Sequence, residues 1–201
     1  MRCRERVWKT LSLGNIGDLA ENPIYTDFFA TVREVNSRLP AAKRIRVFGG
    51  DPGAGGDRAT AGASILKEQV LEKRGKALVI YGQTHFWRAY PDSGLNGLVR
   101  TLDINYPGRT FAVIRIGGQT NVRPEGDVPR PDYQKFDRAL KTPVRPVLVR
   151  PQRLPFRDFT AEEFLGGNML TCSRGRCVST FKGSTLTLGQ MADALVYFGK
   201  P

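Results

Sequence analysis

Between residues 44 and 118 the apolar pattern switches period four times. RIRVFGG, ASILKEQVLEKRG, ALVIYG, LNGLVRTLDINYPG and TFAVIRIGG follow one another with short links. The first, third and fifth are brief apolar runs that end in glycine, the pattern of strands covered on both faces. The second carries Ile65, Leu66, Val70 and Leu71 at helical spacing, and Gly75 stands where a helix would end. The fourth carries Leu95, Leu98, Val99 and Leu102 in the same way. Strand, helix, strand, helix, strand with short connections predicts right-handed crossovers. The expected fold class is therefore α/β, a parallel or mostly parallel sheet with helices on both faces.

Outside that unit the chain predicts further elements. NPIYTDFFATVREVNSRLP reads as a helix capped by Asn22, with Ile24, Phe28, Val32, Val35 and Leu39 along one face and Pro40 at its end. Residues 118–142 combine Pro, Gly and charge and read as a long loop. PVRPVLVRP predicts a short strand. DFTAEEF predicts a short helix with a capping box, Thr160 at the cap and Glu163 three residues on. NMLTCSRGRCVSTF predicts a hairpin toward the C-terminus and ALVYFG a last strand. No internal repeat is visible, and residues 1–201 are expected to form a single α/β domain.

The formal net charge is +12. Such a surface favours anionic partners: phosphates, nucleic acid, anionic lipid or haem propionates. Much of the excess lies in residues 121–157, where Tyr133, Phe136 and Phe156 are interleaved with Lys and Arg. That pairing is compatible with nucleic acid, yet no recognised binding motif accompanies it, so nucleic acid ranks last among the partners considered. No apolar run reaches the roughly 20 residues of a membrane-spanning helix, and the basic start MRCRERVWKTLSLGN leads into no apolar signal core. A cytoplasmic location is the default expectation. Cys3, Cys172 and Cys177 are too few and too uneven for a disulfide framework. Cys172 and Cys177 flank SRGR, so a hairpin would set them opposite one another, either as two thiols or as a disulfide. A zinc site would need two further ligands.

If the sheet is parallel, ligands belong at the carboxyl ends of its strands. Gly50-Asp51, Gly82–His85 and Gly117-Gly118 would share that edge. His85 is the single histidine of the chain, and near neutral pH an imidazole can donate or accept a proton or bind a metal. Asp51 precedes Pro52 and would stand on a stiffened backbone, placed to orient a histidine, hold a metal, act as a base or simply cap a turn. Phe86, Trp87 and Tyr90 would either wall an apolar pocket or complete the core. GGDPGAGGD follows a strand but lacks the Lys-Ser/Thr of a phosphate loop. No G-x-S-x-G accompanies the histidine. Asp193 reads as a cap or turn residue at the amino end of the last strand.

NPIYTDFFATVREVNSRLPAAKRIRVFGGDP, QVLEKRGKALVIYGQTHF, INYPGRTFAVIRIGG and the closing MADALVYFG together resemble uncharacterised bacterial proteins of the erythromycin-esterase-like, ChaN-like haem-uptake and Tiki-type group. That group shares an α/β fold and a Gly-x-x-His motif. The resemblance implies that Gly82 and His85 correspond to that motif and Gly50 and Asp51 to its strand-end Gly-Asp. It implies His85 as general base or metal ligand, Asp51 as its orienting or ligating carboxylate, and Gly50, Gly82, Gln83, Thr84, Phe86, Trp87 and Tyr90 as the binding pocket. Hydrolysis at the carboxyl edge of the sheet would be the ancestral activity, with a divalent metal or haem as candidate cofactor. The alternative is a non-catalytic domain for haem or another anionic ligand. VWKT near the start resembles a point inside the family's domain, so the first strand and its Gly-Glu-x-x-His-type motif are expected to be missing. The short GAGGDRATAG replaces a longer loop that contains Trp.

Overall fold

A computed structural model describes residues 23–50, 57–91, 96–117, 132–166, 170–173 and 176–199. Asn22, Leu95, Asp51, Pro52, Gly118, Cys3, the glycine-rich loop up to residue 56 and the basic stretch 118–131 lie outside the described residues. The chain divides into two compact units, Met1–Lys76 and Ala77–Pro201.

In the first unit, helix α1 spans Pro23–Ser37 and buries none of its side chains fully. Its partly covered positions are Phe29, Val32 and Asn36, with Leu39 partly covered just beyond its end, while Ile24, Phe28 and Val35 are exposed. The expected apolar stripe is thus rotated, and a polar residue shows why. The Asn36 side-chain amide donates to the Ile45 carbonyl at 2.9 Å and its oxygen accepts the Ile45 N–H at 2.7 Å. One side chain satisfies both backbone groups of Ile45, as a neighbouring strand would. Residues 44–50, expected as a strand, form none. Helix α2 runs Arg58–Leu66, capped by Asp57, whose carboxylate accepts the Ala59 N–H at 3.0 Å. It buries Ala59, Gly62 and Ala63, not the expected Ile65 and Leu66. The helix widens into a π turn over Lys67–Leu71. The chain then turns at Arg74, with φ +52°, one residue before the expected Gly75.

The second unit holds the extended core. After Ala77–Gly82 comes a 3-10 turn, Gln83–Phe86. Then follow α3 (Leu98–Asn105), β1 (Val113–Ile116), α4 (Tyr133–Leu140), β2 (Val147–Val149), α5 (Ala161–Leu165), β3 (Leu170–Ser173), β4 (Arg176–Ser179), α6 (Leu188–Met191) and β5 (Ala194–Tyr197). The fold is mixed α/β, but its main sheet is small and mixed, ordered β1-β5-β2. β1 and β5 run parallel, Val113 opposite Ala194, and β2 joins β5 antiparallel, Leu148 opposite Val196. A mostly parallel sheet was expected from five segments. Of its three strands only TFAVIRIGG pairs among the described residues, because ALVIYG forms neither strand nor helix and leaves Leu78 and Ile80 exposed. β3 and β4 pair antiparallel as a separate ladder.

Phe136 of α4 lies at the centre of this core, with ring centroids 5.1 Å from Phe156, 5.8 Å from Phe159, 5.4 Å from Phe164 and 4.4 Å from Tyr197. Helix α4 corrects the long loop expected over 118–142. Asp132 caps it, accepting the Lys135 N–H at 2.8 Å. The capping box of α5 forms as expected: Thr160 Oγ1 accepts the Glu163 N–H at 3.3 Å, and the Thr160 N–H donates to Glu163 Oε2 at 2.9 Å. Among the described residues no helix is long and apolar enough to cross a membrane.

Candidate functional site

His85 is carried on the 3-10 turn Gln83–Phe86, where its backbone N–H donates to Gly82 O at 2.9 Å. Gly82 has φ −57°, and a Cβ there would meet only His85 Cδ2 at 3.4 Å, so the turn itself does not require glycine. The Tyr81 ring meets the imidazole edge-on, with centroids 5.0 Å apart. Gln83, Thr84, His85 and Phe86 are all half-buried. The turn is pinned from behind: the Tyr90 hydroxyl donates to the Thr84 carbonyl. Burial pushes the Tyr90 phenol up to about 12, against the opposing pull of the Arg100 charge, so it stays a donor at any physiological pH.

Gly97, which the sequence reading passed over, closes the same corner. A Cβ on it would stand 2.0 Å from Tyr90 Oη and 2.9 Å from the His85 carbonyl. Only glycine admits that approach, and Gly97 is also the residue from which α3 starts, without a side-chain cap. The signal was present as Asn-Gly before the apolar periodicity of α3, but a turn glycine and a contact glycine look alike in a sequence.

Trp87 completes the core. It is fully buried, 5.1 Å from Phe181 and 5.7 Å from Tyr90 by ring centroid. Its indole Nε1 finds no acceptor among the described residues. Phe86 and Tyr90 pack partly buried against the same core.

The next residue, Arg88, fastens the segment to the sheet. Its N–H donates to Met191 O at 2.9 Å. Its guanidinium pairs with Asp193 at 2.5 Å, with Asp103, and with the Thr110 carbonyl at 2.9 Å. Asp193 Oδ2 also accepts the Ala112 N–H at 2.6 Å. Burial alone would lower the Arg88 pKa, but the two carboxylates outweigh it and the net shift is upward. Asp193, expected as a turn or cap residue, is instead a carboxylate that ties Arg88 to the Ala112 backbone. This anchor lies at the amino ends of β1 and β5, three residues beyond His85, whereas the sequence placed the site at the carboxyl edge. The reason is local: ALVIYG does not join the sheet, so it does not carry Gly82–His85 along a strand to that edge.

Gly50 is half-buried in the first unit and Asp51 lies outside the described residues. His85 and Gly82–Tyr90 belong to the second unit. Within the second unit Gly82, Gln83, Thr84, His85 and Tyr90 come together, joined by Gly97, while Trp87 turns into the core. A divalent metal ordinarily asks for three or more protein donors, and among the described residues no three His, Cys, Asp or Glu side chains converge.

Two of the three interleaved aromatics of 121–157 are not available for stacking. Phe136 and Phe156 are core residues at 0% and 7% exposure. Two of the cations there are also engaged, Lys135 with Glu163 and Arg145 with Asp137, each at 2.5 Å. No family model, no curated protein and no solved structure matches the chain.

Proposed function

We propose that the Gly82–Tyr90 turn is a binding site for a small anionic ligand of the haem class, with His85 as the contacting group. The observation that carries this reading is the mounting of His85. A half-buried imidazole sits edge-on to Tyr81, on a turn pinned by Tyr90 and Gly97. A preorganised side chain on a short rigid turn loses little freedom on binding. The net charge of +12 supports an anionic partner. The resemblance of ALVIYGQTHF to the haem-uptake branch points the same way.

The second reading is hydrolysis, favoured by the Gly-x-x-His spacing at 82–85. It asks for more: His85 must act as general base on water or substrate. The two readings separate in one experiment on the full chain. Hemin, inorganic phosphate and a p-nitrophenyl ester are each offered to the native protein and to His85→Ala. The expected result is a hemin-dependent rise in melting temperature, a haem absorption shift that His85→Ala abolishes, and no turnover. Ester hydrolysis lost in His85→Ala with its fold intact would replace binding with catalysis. Neither binding nor turnover would remove both.

A further inference from the structure

β1 is an edge strand of the β1-β5-β2 sheet, paired with β5 on one side only among the described residues. The same unit holds Ala77–Tyr81, which belongs to neither helix nor strand. We propose that Ala77–Tyr81 is a strap that docks reversibly on the open edge of β1 as a fourth, parallel strand, and that its docking sets the contact of Tyr81 with His85.

The open edge is defined by its backbone. Residues of a strand turn their N–H and C=O alternately to the two sides. The Ala112 carbonyl accepts the Ala194 N–H and the Ile116 carbonyl accepts the Phe198 N–H, each at 3.1 Å, so the even-numbered residues face β5. Val113 and Arg115 therefore turn their backbone groups outward, and no hydrogen bond among the described residues reaches them. Phe111 and Val113 leave apolar side chains exposed along the same segment. An apolar edge left open invites a further strand.

The strap has what that edge lacks. ALVIY is apolar throughout, and its Val79 and Ile80 are β-branched, as suits a strand. Leu78 and Ile80 are 88% and 74% exposed, and the backbone groups of Leu78, Val79 and Ile80 have no hydrogen-bond partner among the described residues. Docking buries that apolar surface and pairs both backbones at once. Ordering the strap opposes the gain, which keeps the docked and free states in exchange.

Connectivity fixes the direction. The turn Gln83–Phe86 follows the strap after one residue and packs against both α3 and β1. Strap, α3 and β1 thus make a strand–helix–strand unit, whose crossover sets the outer strands parallel. Because it is tethered, the chain's own strap outcompetes that of a second copy, and the net charge of +12 holds copies apart. Tyr81 is the last residue of the strap, and its ring lies edge-on to His85. Docking or release of the strap therefore changes the surroundings of His85 with no ligand present.

The test follows single amides of the full chain by hydrogen exchange in NMR, in the native protein and in Leu78→Asp/Ile80→Asp. Both substituted positions are exposed, and the Ile114 amide, turned toward β5, reports that the sheet is intact. Exchange at Val113 and Arg115 should be on the order of tenfold slower in the native protein than in the variant, with Ile114 alike in both. The slowing should be the same at protein concentrations about tenfold apart. Leu78→Ala/Ile80→Ala, which adds no charge, should give a smaller change in the same direction. His85 is the single histidine, so its ring signals stand alone, and they should shift between native protein and variant. Val113 and Arg115 exchanging alike in all three proteins would overturn the docked strand. Slowing that appears only as concentration rises would overturn the chain's own strap in favour of a second copy's. Unmoved His85 signals beside slowed amides would overturn the link to Tyr81.

Discussion

Helix α1 in the first unit and helix α4 in the second are both amphipathic, yet they end in opposite states. α1 runs for 15 residues with a clear apolar repeat and buries none of them. α4 has only 8 residues, lies in a stretch dominated by charge, and carries the fully buried Phe136. Periodicity tells which face of a helix can be buried; it does not say whether anything is there to receive it. α4 faces a cluster of aromatic rings. α1 is held by the polar clasp of Asn36 on Ile45, and short isolated helices are marginal in water.

The largest effect should come from that aromatic cluster. Phe136→Ala is expected to lower unfolding free energy by about 3–5 kcal/mol, read from urea denaturation. A loss below about 1 kcal/mol would mean that the cluster does not hold the unit together. Next is Arg88→Met, which leaves Asp103 and Asp193 close together without their cation. Breaking a fully buried pair costs about 3–5 kcal/mol. Here 22–30% of each side chain stays exposed, so about 2 kcal/mol is expected. Thr160→Ala removes half of a capping box and should cost about 1 kcal/mol. Tyr90→Phe tests the pinned turn through pH. The folded phenol is raised from 10.0 to about 12, so its contribution is complete below the unfolded value and fades as pH rises toward the folded one. Native protein should therefore lose stability as pH rises from about 10 toward 12, a loss that Tyr90→Phe should not show. Smallest is Phe28→Ala on the exposed face of α1, expected within about 0.5 kcal/mol of native. A loss as large as that of Phe136→Ala would erase the contrast between the helices.

Legibility in the sequence followed the range of the forces. The α5 capping box, α3 with Leu98, Val99 and Leu102, and the strands around Ile114 and Leu195 were readable, because their signals lie within a few residues. α4 was hidden by composition: Asp132 as cap and Tyr133, Phe136 and Leu140 at helical spacing were present, but Pro, Gly and charge nearby read as loop. ALVIYG shows the reverse failure. An apolar run states that a segment suits a sheet, while pairing is decided by distant residues. His85 stood out because it has no duplicate, yet Gly97 and the Arg88–Asp103–Asp193 anchor join residues up to 105 positions apart. No local pattern announces them.

Amide hydrogen exchange on the intact chain tests the contrast most directly. The central strand β5, paired on both sides at Leu195, Val196 and Tyr197, should exchange only by global unfolding. The amides of α1 from Phe29 to Asn36 should exchange through local opening, far sooner. Protection of α1 equal to that of β5 would contradict this division and place α1 within a cooperative core.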